Sequence, residues 1–98
     1  MTTVNLAAQV VEFFGHLAPE PRKKLRLALR GLQREEGDIK SLEGKLTGYQ
    51  RIRSGPYRVI FTRELRNGKP AIDCVFAEHR SLVYELFSTA AALAKYRK

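Results

Sequence analysis

Three arginines stand close together in residues 49–61, which read "YQRIRSGPYRVIF". The stretch is typical of two short strands joined by a Ser-Gly-Pro turn. Because side chains alternate between the faces of a strand, Arg51 and Arg53 share one face, and Arg58 stands just across the turn. A strand that only filled a core would not need three cations. The stretch therefore indicates a surface that meets an anionic group.

The wider set of candidate functional residues combines guanidinium, imidazole and phenol groups. It comprises Tyr49, Arg51, Arg53, Arg58, His79, Arg80 and Tyr84. RNA can be cut without a metal when its own 2′-hydroxyl attacks the adjacent phosphate. The protein must then accept one proton, donate another and stabilise charge on phosphorus. Arginine can stabilise the charge on phosphorus, and histidine can transfer protons near neutral pH.

Plainer interpretations of the same residues stay open at this point. Arg51 and Arg53 can belong to the solvated face of an edge strand. His79, just before a predicted helix, can be a loop or capping residue, and Tyr84 can be a core aromatic. The combination carries more weight than any single member, because one strand meander joins the hairpin to the segment "EHRSLVY".

Other kinds of site are not indicated by the sequence. The histidines and the single cysteine, His16, His79 and Cys74, lack the spacing of metal ligands, and no Gly-rich phosphate loop is present. Cys74 lies in an apolar strand pattern and is expected to be a small core residue. We therefore expect no metal and no cofactor.

The composition favours one globular domain, residues 1–98, with a polyanionic partner. The chain has 98 residues, 44% of them hydrophobic and 29% charged, and a net charge of +8. Residues 1–48 hold 8 basic and 6 acidic residues, whereas residues 49–98 hold 10 and 4, so the excess is +2 against +6. This asymmetry favours nucleic acid, the ribosome or an acidic protein as partner.

The location predicted from the sequence is the cytoplasm. A single cysteine suits a reducing compartment. The N-terminal residues lack the basic region of a signal peptide, and no apolar run approaches the roughly 18 residues of a membrane span. We therefore expect no membrane association.

The pattern of apolar residues predicts an α+β fold. Helical spacing indicates helices over residues 5–17 and 21–35, joined as a hairpin, and a last helix over 82–96 capped by Ser81. That helix has an apolar stripe and carries cationic residues at its C-terminal end. The stripe is Leu82, Leu86, Phe87 and Leu93, and the cations are Lys95, Arg97 and Lys98.

Between the helices, period-two alternation predicts strands over 49–53, 57–63 and 71–76, with Asn67-Gly68 as a hairpin turn. Residues 39–48 are assigned to a connector, and at most Thr2-Thr3-Val4 forms a short edge strand. The predicted architecture is a helical hairpin packed on a small antiparallel meander, followed by a C-terminal helix.

Four elements of the sequence resemble the RelE/ParE superfamily of type II toxins, in its RelE-like branch. They are Leu42-Glu43-Gly44, the strand from Tyr49 to Arg53, the Tyr57-Arg58-Val59-Ile60-Phe61 strand and the segment from His79 to Tyr84. The helical hairpin matches in order and length, so the resemblance covers nearly the whole chain.

The resemblance implies a cytoplasmic toxin that is paired with an acidic antitoxin and cuts mRNA in the ribosomal A site without a metal. The family's catalytic residues carry over to Arg51, Arg58, Arg80 and Tyr84. Arg53 and His79 then serve as helpers, and Tyr49 and Arg53 contact RNA. The alternative within the superfamily is a ParE-like toxin that inhibits DNA gyrase by binding.

The sequence departs from the family at its proton acceptor. RelE proteins place two lysines in the first hairpin strand, where this chain has Tyr49 and Arg51. Arginine stays protonated and hardly relays a proton. The departure moves the role of general base to His79 or Tyr84.

Overall fold

The computed structural model describes residues 2–96, with side chains over residues 2–90. In chain order the elements are β1 (Thr3–Leu6), α1 (Ala8–Gly15), α2 (Pro19–Leu32), β2 (Asp38–Ser41), β3 (Gln50–Ser54), β4 (Tyr57–Arg66), β5 (Lys69–His79) and α3 (Val83–Tyr96), with a 3₁₀ turn at Gly44–Leu46. The predicted α+β class is confirmed. None of the described helices is long and apolar enough to cross a membrane.

The strands form one sheet in the order β1-β5-β4-β3-β2. Neighbours from β5 to β2 are antiparallel, as predicted, but β1 runs parallel to β5. The predicted antiparallel meander is therefore confirmed for β3, β4 and β5, whereas the parallel pairing of β1 was not predicted from the sequence. The chain leaves β1, forms the helical hairpin over the sheet, and enters β2 at the opposite edge.

The N-terminal strand is longer than the sequence suggested, and the first helix is shorter. β1 continues to Leu6 because Asn5 donates to Asp73 at 3.1 Å and the Ala7 N–H donates to the Cys74 carbonyl at 2.9 Å. Helical spacing from residue 5 therefore misplaced the start of α1, which begins at Ala8.

A strand replaces the first part of the predicted connector. α2 ends at Leu32, three residues earlier than predicted, and Glu35 then takes a left-handed φ of 58°. The chain turns back into β2, where Ile39 lies opposite Ile52 of β3. One apolar residue gives no period-two signal, so this strand is stabilised by its partner and not by its own pattern.

The β4–β5 hairpin extends beyond the predicted strands. The Asn67-Gly68 turn is confirmed, with φ angles of 54° and 74° that suit a tight two-residue hairpin. Both strands continue to this turn although Leu65 is 75% exposed. An ion pair between Arg66 and Asp73 helps to hold this arm.

The two faces of the sheet carry different helices. The helical hairpin covers one face, which we call the hairpin face; its buried cluster includes Leu25, Ile52, Val59 and Phe61. The other, the α3 face, has a smaller cluster formed by Ile60, Val83 and Phe87. The pairing of β4 with β5 shifts register between Ile60 and Phe61, which marks a β-bulge in this strand pair.

α3 begins at Val83, one residue later than predicted, and is rotated relative to the predicted stripe. Val83 and Phe87 are buried, whereas Leu82 and Leu86 are 45% and 41% exposed. Spacing alone does not distinguish these two stripes, and contact with the sheet decides between them. The remaining side chains of the predicted helix end, Leu93, Lys95, Arg97 and Lys98, lie outside the described residues.

Candidate functional site

An open groove of about 550 Å³ lies on the α3 face of the sheet. We call it the arginine groove. Its lining residues are Lys40, Ser41, Leu42, Glu43, Leu46, Arg51, Arg58, Arg80 and Tyr84. Four of the five residues predicted as catalytic therefore share one concave surface, and their catalytic role stays a prediction.

Strand alternation brings the groove residues to the same face. Arg51 lies opposite Ile60, and Arg58 lies opposite Arg53, so the side chains of Arg51 and Arg58 project on the side of α3. The backbone N–H of Arg80 donates to the Pro56 carbonyl at 2.7 Å. This bond joins the end of β5 to the β3–β4 turn and places Arg80 beside the hairpin.

Arg58 is held by the turn that precedes it. Its Nη1 donates to the carbonyls of Gly55 and Tyr57 at 3.0 and 2.9 Å. No carboxylate of the described residues lies within 4.0 Å of its guanidinium. Burial lowers the pKa of Arg58, and so do the charges of neighbouring arginines. A guanidinium remains charged at neutral pH, so the groove concentrates positive potential here.

Arg51 is tied to the edge of the sheet by Asp38. Its Nη1 donates to the Asp38 carbonyl at 2.6 Å and to the Asp38 carboxylate at 3.1 Å, and only 13% of the side chain is exposed. The hydrogen bond from Arg51 lowers the pKa of Asp38, and the neighbouring arginine charges act in the same direction. The contacts with Asp38 thus orient the Arg51 side chain in the absence of a ligand.

Two titratable groups in the groove were not predicted from the sequence. Lys40 lies directly opposite Arg51, because β2 pairs with β3. Glu43 follows β2 and is the single carboxylate among the lining residues. Assigning residues 39–48 to a connector hid both, although Glu43 stands inside the recognised Leu42-Glu43-Gly44 element.

His79 is not brought to the arginine groove. It lies opposite Tyr57, whose ring packs edge-on against both His79 and Phe13 of α1, so His79 belongs to the hairpin face. Its Nδ1 accepts the Ser81 N–H at 3.1 Å and lies 2.8 Å from Ser81 Oγ. Ser81 therefore bonds to this histidine and is not the helix cap predicted from the sequence.

The two residues predicted to contact RNA also lie outside the lining of the groove. The ring of Tyr49 packs edge-on against Phe87 of α3, with 5.0 Å between the ring centroids. Arg53 is exposed beside Arg58 and lies 3.9 Å from the Asp38 carboxylate. Arg53 can extend a positive surface, whereas Tyr49 is a packing residue.

Several solved structures of toxins share this fold. A chain of the RelBE2 toxin–antitoxin complex of Mycobacterium tuberculosis superposes with a TM-score of 0.66 at 22% identity, covering 81% of this chain and 98% of that one. The archaeal RelE–RelB complex of Pyrococcus horikoshii gives 0.62 at 26% identity, with 81% and 94% covered. The RelB–RelE complex of Methanococcus jannaschii gives 0.59 at 25% identity, with 85% and 98% covered.

The chain has the fold of the RelE/ParE superfamily. No protein-family profile matches its sequence, and no curated protein sequence does either. The expected resemblance is thus confirmed by three-dimensional structure. The arginine groove combines three guanidinium groups with a phenol, an amine and a carboxylate. Such a set can bind a phosphodiester, and it contains groups that can accept and donate protons.

Proposed function

We propose that the protein is the toxin of a type II toxin–antitoxin system and cleaves messenger RNA on the ribosome, in the cytoplasm. One observation carries the proposal: Arg51, Arg58, Arg80 and Tyr84 converge on one groove. Since no described carboxylate neutralises Arg58, its charge is available to a phosphate. The fold supports the toxin assignment, because the matched structures carry RelE, YafQ and YoeB/ParE names.

In the proposed reaction the message supplies its own nucleophile. The 2′-oxygen forms a bond to phosphorus as its proton passes to a base, and the bond from phosphorus to the 5′-oxygen breaks. The products are a 2′,3′-cyclic phosphate and a 5′-hydroxyl. Arg58, steadied by the turn, binds the phosphate oxygens as charge grows on them, and Arg51 and Arg80 flank it.

Proton transfer falls to residues of the arginine groove. His79 lies on the hairpin face, so it is not available to a phosphate beside Arg58. Glu43 supplies a carboxylate that accepts the 2′-hydroxyl proton, and Tyr84, 37% exposed, supplies the hydroxyl that protonates the leaving 5′-oxygen.

The proposed partner besides the ribosome is an acidic antitoxin. The chain carries a net charge of +8, and opposite charge speeds and directs association. Three of the matched structures are described as complexes of a toxin with its antitoxin. Binding of an acidic segment over or near the groove would exclude RNA.

Primer extension on a message in a translating extract tests the proposal. We expect cuts in register with codons from the native protein, and a loss of about 10²–10⁴-fold for Tyr84→Phe, because the general acid is removed while the ring stays. Tyr57→Phe makes the same chemical change on the hairpin face and is the matched control. Intact message together with inhibited DNA gyrase would contradict the nuclease and support the ParE-like alternative.

A modified message separates the two proton-transfer roles. A sulfur in place of the leaving 5′-oxygen departs without a proton, so Tyr84→Phe should recover on this substrate. Glu43→Gln should stay slow, by about 10²-fold, since the 2′-hydroxyl still needs a base. Glu85→Gln removes a carboxylate from the first turn of α3, outside the groove lining, and should cleave normally. Recovery of Glu43→Gln would remove Glu43 from the role of base.

A further inference from the structure

The end of the β4–β5 hairpin extends beyond the strand that lies beside β4. Pairing of β3 with β4 stops at Gln50 opposite Phe61, whereas β4 continues to Arg66. We call residues 62–70, the end of this hairpin, the β-arm. Within the part of the chain that the structure describes, β4 has no second neighbour along the β-arm. A strand edge of this kind can pair with another chain.

The Asn67-Gly68 turn fixes which backbone groups face the open edge. In a two-residue hairpin the residues that flank the turn form a hydrogen-bonded pair, which here is Arg66 with Lys69. The next pair, Leu65 with Pro70, is then not hydrogen-bonded, and this suits Pro70 because proline has no N–H. The N–H and C=O of Leu65 therefore point away from β5, toward the open edge.

The side chains of the β-arm place opposite charges on either side of an exposed leucine. Leu65 is 75% exposed and lies four residues after the buried Phe61, so it is on the hairpin face. Glu64 and Arg66, both exposed, project from the opposite face, where Arg66 pairs with Asp73. The order anion, leucine, cation is complementary to itself when it is read in the reverse direction.

We propose that the β-arm pairs with the β-arm of a second copy of this chain. The two β4 edges run antiparallel about a twofold axis at Leu65, and the two Leu65 residues exchange their N–H···O=C bonds. Glu64 of each copy then lies opposite Arg66 of the other. Opposite charges directly across an antiparallel pair stabilise it, and the two leucine side chains remove apolar surface from water.

The charges and the backbone select this register and this partner. A twofold axis at Glu64 or Arg66 would place like charges opposite each other, and the backbone groups of both residues are turned toward β5. An axis at Arg63 would place two arginines opposite each other. A polynucleotide could bind the arginines, but it would be repelled by Glu64 and would leave Leu65 in water. A second copy satisfies all of these groups, because a twofold interface uses the same surface twice.

The proposed contact is small and separate from the arginine groove. It joins the two sheets into one continuous sheet, but it involves only the last few residues of β4 and the turn. We therefore expect a dissociation constant on the order of 10–100 µM, because the interface is below the usual size of a tight complex. The residues that line the arginine groove lie outside the β-arm, so self-association does not depend on the nuclease.

Sedimentation with complementary charge variants tests the proposal. Glu64→Lys and Arg66→Glu each place like charges opposite in a pair of identical copies. Each variant alone should self-associate at least about tenfold more weakly than the native protein. An equal mixture of the two restores opposite charges at both positions and should dimerise within about threefold of the native constant. Glu85→Lys makes the same change on α3, outside the β-arm, and should dimerise normally.

Recovery in the mixture also controls for folding. Arg66→Glu removes the ion pair with Asp73, and a variant that had lost the β-arm for this reason would not regain a partner on mixing. Charge variants that weaken self-association alone and stay weak when mixed would therefore overturn the proposed pairing.

Hydrogen exchange tests the backbone bonds without any substitution. Alternation turns the N–H groups of Arg63 and Leu65 toward the open edge, and those of Glu64 and Arg66 toward β5. Exchange of the first two amides should slow severalfold when the concentration rises above the dissociation constant, whereas the other two should not change. Equal behaviour of all four amides would contradict pairing through this edge.

The outcomes for the second copy and for the nuclease are distinguishable. A native protein that stays monomeric up to about 1 mM would overturn the pairing, whether or not it cleaves messages. A dimer with these properties that leaves messages intact would retain the pairing and remove the proposed nuclease. A monomer whose ribosome binding is weakened by Arg66→Glu, and not by Glu85→Lys, would assign the β-arm to RNA instead.

Discussion

The two faces of the sheet are formed by the same strands but differ in character: one is a buried core and the other a polar groove. On the hairpin face, Val59, Phe61 and Ile52 are fully buried beneath α1 and α2. On the α3 face, the neighbouring positions Arg58 and Arg51 remain partly open to solvent. Period-two alternation therefore places a core and a polar groove on opposite sides of strands β3 and β4.

The comparison also separates stability from function. Ten buried residues form the cluster of the hairpin face, against three in the cluster of the α3 face, among the described side chains. A face with little buried apolar surface contributes less to folding, and it leaves room for charged side chains. The rigid hairpin face can hold the arginines in place without being part of the reaction.

Removal of a large side chain from the hairpin face should have the largest effect on stability. Phe61→Ala is expected to lower the free energy of unfolding by about 3–5 kcal/mol, because a fully buried ring leaves a cavity. Phe87→Ala on the α3 face is the matched change and should cost clearly less, since its cluster is small. Chemical denaturation of both variants measures the difference. Equal losses of unfolding free energy would contradict the view that the hairpin face contributes more to stability than the α3 face.

Arg58→Lys should have a large effect on activity with little change in stability. The charge stays, but the planar fork that reaches two phosphate oxygens is lost. We expect message cleavage to fall by about 10²–10³-fold, as for loss of one donor to a developing oxyanion. Ribosome sedimentation should still show binding. Arg66→Lys alters an arginine paired with Asp73 at the far hairpin and is the matched control, so equal losses of cleavage would contradict a specific role for Arg58.

The sequence predicted the parts of the fold that have strong local signals. The Asn67-Gly68 turn, the three long strands and the helical hairpin each carry such a signal. β1 and β2 were missed or shortened because four residues with one or two apolar positions have no periodicity of their own. They exist because a longer strand lies beside them, which is tertiary information.

The lack of a local signal in short strands also explains which residues of the candidate site were missed. Alternation correctly grouped Arg51 with Arg53, and the family elements indicated Arg58, Arg80 and Tyr84. Lys40 and Glu43 were missed because β2 was missed. His79 was grouped with Arg80 by adjacency in the chain, yet consecutive residues at the end of a strand project to opposite sides.

His79→Gln should have the smallest effect on cleavage, and it tests the comparison of the two sheet faces most directly. Glutamine cannot carry a proton as imidazole does, so a histidine that served as general base or acid would cost about 10²-fold or more when replaced. His79 instead packs edge-on against Tyr57 and accepts from the Ser81 N–H on the hairpin face. We therefore expect cleavage within about threefold of the native rate, and a stability loss of about 1 kcal/mol or less from the altered hydrogen bonds.

The pH dependence of cleavage gives this prediction its sharpest form. If His79 takes no part in proton transfer, the pH profile of cleavage is the same in His79→Gln as in the native protein, whereas Glu43→Gln changes it. A changed pH profile in His79→Gln, together with an unchanged profile in Glu43→Gln, would place the proton transfer on the hairpin face. The arginine groove would then bind the message without taking part in proton transfer.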